Sequence, residues 1–252
     1  MSEGGVALRF IIDPLAWSKE SIQSGLMAIS HARQWGDLAL APLLPVIEQY
    51  DGERGGFFGN FRLWLGVGVG SDGDTSGKIY MNPYLFDSDH ELSGVHKFLL
   101  TSGFGADLVQ PLSEVVETCG YFRPHIVGIN LNESGITSIK IYLILPDPSI
   151  NSLMALARTR TALATRLMHL LPYLSVSRGQ VHLTLGFSRA GGEPKISLQF
   201  MASHWFGSPR VGVSAADELF RRDGVDMKAV QEKLISCTFV GVSESASFMY
   251  VA

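Results

Sequence analysis

Two segments of the chain, GKIYMNPYL (Gly77 to Leu85) and SIKIYLILP (Ser138 to Pro146), each carry a lysine, one apolar residue and then a tyrosine. In an extended strand, residues i and i+2 point to the same face, so Lys78 with Tyr80, and Lys140 with Tyr142, each set a cation beside an aromatic ring. The two groups do complementary chemistry. An ammonium grips anionic oxygens, and the electron-rich face of a ring stabilises a carbocation. A reactant that separates into an anion and a carbocation would use both at once.

Strands must hold these pairs, and the chain supplies strands in hairpins. The first strand is VALRFII (Val6 to Ile12), stopped by Asp13-Pro14. A helix is expected after Ser18, with Ile22, Leu26, Ile29 and Ala32 on one face, and a second from about Pro42 to Tyr50. FRLWLGVGVG, the polar turn SDGDTSG and KIYMNP then form a hairpin. The GVGVG run is not a dinucleotide fingerprint, because a strand follows it where that motif requires a helix. Asp72 and Asp74 lack the remaining spacing of a calcium loop and read as a solvated turn.

Helical spacing runs from Ser88 to Gly120, broken near Gly103 to Gly105, and the strand pair HIVGINLN and ITSIKIYLIL follows. Leu153, Leu156, Leu163 and Leu167 mark another helix ending at Pro172, with Arg158, Arg160 and Arg166 on its solvated face. The hairpin GQVHLTLGFS and PKISLQFMA comes next, then a helix with Leu219, Val230 and Leu234, then CTFVGVS and ASFMYVA. A helical segment followed by a β-hairpin recurs four times at a period of roughly 55 to 60 residues. About nine antiparallel strands result, with helices on one face, as an open sheet or a closed barrel; closure would remove the exposed edges, and the barrel is preferred.

At 252 residues and 46% hydrophobic, the chain can bury one sizeable core, read as a single domain spanning 1–252. A net charge of -4 offers no general attraction for nucleic acid or anionic membrane, so any anion site must be local. Cys119 and Cys237 have no metal-ligand spacing and read as core residues of a reducing compartment. With neither an apolar span nor a leader-like start, the expectation is a cytoplasmic protein with no membrane span.

Alternation separates the two faces of each strand. Phe61, Leu63, Leu65, Ile79, Ile139, Ile141, Leu143, Val181, Leu183, Leu185, Ile196, Leu198 and Phe200 are apolar and should meet the helices. The other face carries Arg62, Trp64, Lys78, Tyr80, Asn130, Lys140, Tyr142, Gln180, His182, Thr184, Lys195, Ser197 and Gln199. A sheet whose polar face meets water would also look like this. Water, however, asks for no repeated pairing of a cation or amide with a ring. Arg62, Lys78, Lys140 and Lys195 around one cavity would repel one another unless an anion sat there, and a diphosphate supplies that charge. Ionisation of an allylic diphosphate leaves a carbocation, for which Trp64, Tyr80 and Tyr142 would be the shield.

Repeated helix-hairpin units with inward K-x-Y strands resemble the aromatic prenyltransferases of the ABBA type, over essentially the whole chain. FRPHIVGINLNESGITSIKIYLIL and VHLTLGFSRAGGEPKISLQF are most similar to hairpins of the cyanobactin (RiPP peptide) prenyltransferases, and the short length agrees. The resemblance implies an α+β fold, an ABBA (αββα) barrel of about ten antiparallel strands surrounded by a ring of helices. It implies a prenyltransferase moving a dimethylallyl group, or a longer isoprenyl, from its diphosphate to an electron-rich acceptor. No metal would be obligatory, with magnesium possible but not required; the absence of a DDxxD motif agrees.

Carried over to this chain, Arg62, Lys78, Lys140 and Lys195 would grip the diphosphate, with Gln180, Gln199 and His182 assisting. Tyr80, Tyr142 and Trp64 would shield the allyl cation, and Tyr250 or Phe248 would add to them from the last strand, where both faces are apolar. His182 and Ser197 stand where the indole-modifying members have aromatic residues. An acid before the Arg62 strand would take the acceptor's proton; Glu48, Asp51 and Glu53 compete, and Glu48 is chosen. The acceptor would be a Trp, Tyr, His or Arg side chain of a peptide, or else a small indole or phenol. A binding module that merely holds a phosphorylated ligand or lipid, and a scaffold whose polar face is incidental, are the competing classes.

Overall fold

The computed structural model describes residues 8–12, 24, 27, 63–69, 75–83, 92–101, 112–113, 117–118, 120, 122–132, 135–158, 160–175, 179–226 and 237–251. Among the described residues, nine strands follow one another in a sheet whose hydrogen-bonded order is the sequence order. They are β1 (Leu8–Ile12), β2 (Leu63–Val69), β3 (Thr75–Met81), β4 (Arg123–Asn132), β5 (Gly135–Leu145), β6 (Val181–Ser188), β7 (Lys195–Met201), β8 (Cys237–Ser243) and β9 (Ser247–Val251). Every pairing with a described register is antiparallel. Among the described residues, the helices of eight residues or more are α1 (Ser93–Thr101), α2 (Ile150–Ala157), α3 (Thr161–Leu170) and α4 (Pro209–Arg222).

The chain forms two compact units. One holds Met1–Gln110, Pro124–Tyr142 and Gly186–Pro194; the other holds Pro111–Arg123, Leu143–Leu185 and Lys195–Ala252. In the first, β2 and β3 form the expected hairpin, with Leu65 opposite Ile79 and Val69 opposite Thr75. The glycine-rich run is therefore strand, as its context required. Ile79 and Met81 are 3% and 1% exposed, and α1 contributes the fully buried Val95, Phe98 and Leu99.

In the second unit, the alternating residues Leu143, Val181, Leu183, Leu185, Leu198 and Phe200 are fully buried, as are Leu163, Leu167 and Leu170 of α3. The faces assigned from period-2 alternation are thus the faces found wherever the side chains are described. α3 packs on β8, and α4 packs on β8 and β9. Ser149 caps α2 by accepting from the Ser152 amide at 3.0 Å, and Ser208 caps α4 by accepting from Val211 at 3.3 Å. Pro209 occupies the first turn of α4, where its missing N–H costs nothing.

One expectation is corrected. The leucine pattern from Leu153 to Leu167 is two helices, broken at 158–160, and two of its three arginines do not face open solvent. Arg158 is exposed. Arg160, with a side chain 14% exposed, donates to Glu244 Oε1 at 2.5 Å, and that oxygen also accepts from the Ile196 amide at 3.1 Å. Arg166 donates to the carbonyl oxygen of Glu244 at 2.9 Å and to Asp223 Oδ1 at 2.9 Å, while Asp223 Oδ2 accepts from the Ser247 amide at 2.9 Å. These arginines tie α3 to the β8–β9 turn, a partner that helical spacing alone does not reveal. Burial pushes the Asp223 carboxyl up, but the hydrogen bonds from Ser247 and Arg166 outweigh it and hold it below its ordinary value.

Arg166→Met strands Asp223 and the turn carbonyls, and is expected to lower unfolding stability by about 2–3 kcal/mol in urea titration. A second expectation concerns pH. Burial lowers the pKa of His96 on α1 and of His125 on β4. The folded state therefore binds fewer protons than the unfolded one below the ordinary histidine value. Their contribution is complete above about pH 6.5 and is lost as pH falls through the lowered folded values. Urea midpoints measured between pH 7.5 and 5 should fall, and His125→Gln should flatten that fall.

Candidate active site

Antiparallel pairing places partners on the same face of a sheet, so the register of β2, β3 and β4 reads out the surface that carries Lys78 and Tyr80. Trp64 lies opposite Tyr80, and Tyr80 lies opposite Gly128. In the neighbouring row, Gly66 lies opposite Lys78, and Lys78 opposite Asn130. Trp64, Lys78, Tyr80, Lys140 and Tyr142 are all half-buried. The two Lys-x-Tyr pairs are fixed on this face because their strand neighbours are sunk in the core: Ile79 at 3%, Met81 at 1%, Ile139 and Ile141 at 0%. A one-residue slip of either strand would put a lysine among those apolar side chains.

Strands lie about 4.8 Å apart, which sets β3 and β5 about 10 Å apart across β4. The rings of Tyr80 and Tyr142 nevertheless come to 6.3 Å between centroids, tilted by 54°. They meet over Gly128. A Cβ built on that glycine would stand 3.3 Å from Tyr142 Cε2 and 3.4 Å from Tyr80 Cδ1. Beside them, Asn130 Nδ2 donates to Ser138 Oγ at 2.6 Å, which ties β4 to β5 and orients the amide facing Lys78. The result is an aromatic pair flanked, two residues along each strand, by Lys78 and Lys140.

The second unit carries its own cluster on β6 to β9. His182 is half-buried and its ring stands 5.0 Å from that of Phe239. Thr184 is 5% exposed, and its Oγ1 has no hydrogen-bond partner among the described residues. Gln199 is 8% exposed and lies opposite Gly241, which in turn lies opposite Phe248. A Cβ on Gly241 would overlap the Phe248 ring, with Cε2 only 2.1 Å away. Phe239 lies between Met201 and Tyr250 in the register. The parity of β9, open in the sequence, is thereby settled: positions 248 and 250 share the face of Gln199.

Two candidates are peripheral in this unit. Lys195 and Gln180 are exposed, and the carbonyl oxygen of Gln180 accepts the Trp205 indole N–H at 2.9 Å. Glu48, Asp51, Glu53 and Arg62 lie outside the described residues.

Sequence reasoning passed over Gly128, Phe239 and Gly241. Each had a signal. A glycine inside an otherwise β-branched strand marks close approach of another group, and IVGIN and FVGVS both contain one. Phe239 and Phe248 supply aromatic rings near positions where His182 and Ser197 do not.

No family model and no curated protein matches the sequence. Solved structures do match in fold. The 6-dimethylallyltryptophan synthase from Micromonospora olivasterospora, solved with DMASPP and Trp, superposes with a TM-score of 0.72 at 15% identity, covering 97% of this chain and 76% of that one. PriB, solved with L-tryptophan and dimethylallyl thiolodiphosphate, gives 0.68 at 16% identity, covering 93% and 71%. AnaPT from Neosartorya fischeri gives 0.69 at 11% identity, covering 96% and 73%. The chain therefore shares the fold of these structures, and the antiparallel sheet with helices that the sequence resemblance implied is present in it.

Proposed function

We propose that this protein is a prenyltransferase, moving a dimethylallyl or longer isoprenyl group from its diphosphate to an electron-rich side chain of a peptide: Trp, Tyr, His or Arg. The observation that carries the reading is the pair of Lys-x-Tyr strands whose tyrosines meet over Gly128 with a lysine beside each ring. The fold likeness to structures solved with tryptophan and dimethylallyl thiolodiphosphate supports it.

On this reading residues 1–252 form one catalytic domain, a barrel of about ten strands. Lys78 and Lys140, with Arg62, hold the diphosphate. The allylic C–O bond breaks with its electron pair leaving on the diphosphate, whose charge the ammonium groups offset. Trp64, Tyr80 and Tyr142 face the allyl cation and keep water from it. A pair of acceptor electrons forms the new bond, and Glu48 takes the displaced proton.

The peptide acceptor rests on the hairpin resemblance to the cyanobactin group. The tryptophan in the solved structures favours a second reading, a free indole acceptor. Incubation with dimethylallyl diphosphate and separate Trp, Tyr, His and Arg peptides, with free tryptophan and indole as controls, distinguishes them by mass shift. An alkylated peptide is expected. Alkylation of free tryptophan alone selects the second reading, and no alkylation with any acceptor removes the enzyme reading.

A further inference from the structure

Gly128 is the residue on the Lys78 face of β4 that lacks a side chain, between Ile126 and Asn130. A glycine inside a strand weakens it relative to alanine, so its place here calls for a compensating contact. The contact is the ring pair. Tyr80 reaches in from β3 and Tyr142 from β5, and both occupy the space above the glycine, at 3.3 to 3.5 Å from where a Cβ would sit. A methyl group fits if the rings yield by a few tenths of an ångström. A branched side chain does not, because its next carbons reach about 1.5 Å further, into the rings.

We infer that Gly128 is a positioning residue: by letting the two tyrosines close over β4, it decides whether an allyl cation formed beside them is captured by the acceptor or by water. The inference rests on the prenyl-transfer reading. Capture by water joins its oxygen to the allyl carbon and releases one proton, giving the prenyl alcohol and free diphosphate. Capture by the acceptor gives the alkylated product and the same diphosphate. The ratio of alcohol to alkylated product therefore reports the closure of the ring pair, whereas simple loss of folded enzyme lowers both in parallel.

The test compares wild type, Gly128→Ala and Gly128→Val with dimethylallyl diphosphate and the best acceptor, measuring both products, alongside calorimetric titration with dimethylallyl thiolodiphosphate. In Gly128→Val the alcohol-to-product ratio should rise about tenfold, the scale of one lost ring–cation contact, with donor affinity held within about twofold. Gly128→Ala should fall between the two. A parallel loss of both products, or an unchanged ratio, overturns the inference while leaving the enzyme reading intact. A wild-type protein that neither binds nor consumes the donor removes both. Should Gly128→Val fail to fold, Gly128→Ala decides: a raised ratio supports the closure, and an unchanged one overturns it.

Discussion

Lys78→Ala and Lys140→Ala should each weaken binding of dimethylallyl thiolodiphosphate by about 10- to 150-fold, the loss of one charge-assisted contact of about 1.5–3 kcal/mol. Both side chains stand on the sheet face opposite the core, with the neighbouring Ile79, Ile139 and Ile141 packed at 3% exposure or less. Removing the ammonium groups therefore leaves the hydrophobic packing in place. Isothermal titration of both variants separates the outcomes. Affinity unchanged in both would take the diphosphate away from this face, whereas loss of folding in both would make the lysines structural. The weakened binding should also grow weaker with salt to a smaller degree than in wild type, because one fewer ion pair is screened.

Glu48→Gln should leave donor affinity intact and slow transfer by about 10²- to 10⁴-fold, the span of a lost general base. The amide keeps the size and hydrogen bonding of the side chain but cannot take a proton. Pre-steady-state measurement with an electron-rich acceptor tests the assignment: a variant with wild-type turnover passes the role to Asp51 or Glu53, for which the same substitution then applies. The effect falls on turnover and spares donor binding, the reverse of the lysine variants, so the two series divide the site into a part that holds and a part that reacts.

Much of the fold was legible because strand alternation is a local property. Ile139, Ile141 and Leu143 announce a buried face by spacing alone, and they are buried as expected. The same rule placed Lys78, Tyr80, Lys140 and Tyr142 on the other face. What spacing cannot show is who stands opposite whom. That Tyr80 reaches Tyr142 depends on the strand between them presenting a glycine at that height, a matter of register across three strands. Arg160 and Arg166 failed for the same reason. On a helical wheel they sit apart from the leucine stripe and look solvated, yet their partners Glu244 and Asp223 come from a turn and a helix end far along the chain.

The aromatic contribution of the last two strands illustrates a third limit. Both faces of CTFVGVS and ASFMYVA are apolar, so alternation could not say which residues join Gln199; pairing of Gly241 with Phe248 and of Phe239 with Tyr250 does. A bulge between Cys237 and Phe239 shifts the register there, a feature without a sequence signature in this segment.

On the proposed reading, the Lys78 and Lys140 face of β3 and β5 holds an allylic diphosphate with its carbon chain against the tyrosine pair. A crystal structure of the protein soaked with dimethylallyl thiolodiphosphate tests this directly. Diphosphate oxygens are expected within hydrogen-bond distance of both lysine Nζ atoms, with the dimethylallyl group against the rings of Tyr80 and Tyr142. Diphosphate bound away from both lysines, or a prenyl chain pointing away from the two rings, would contradict it.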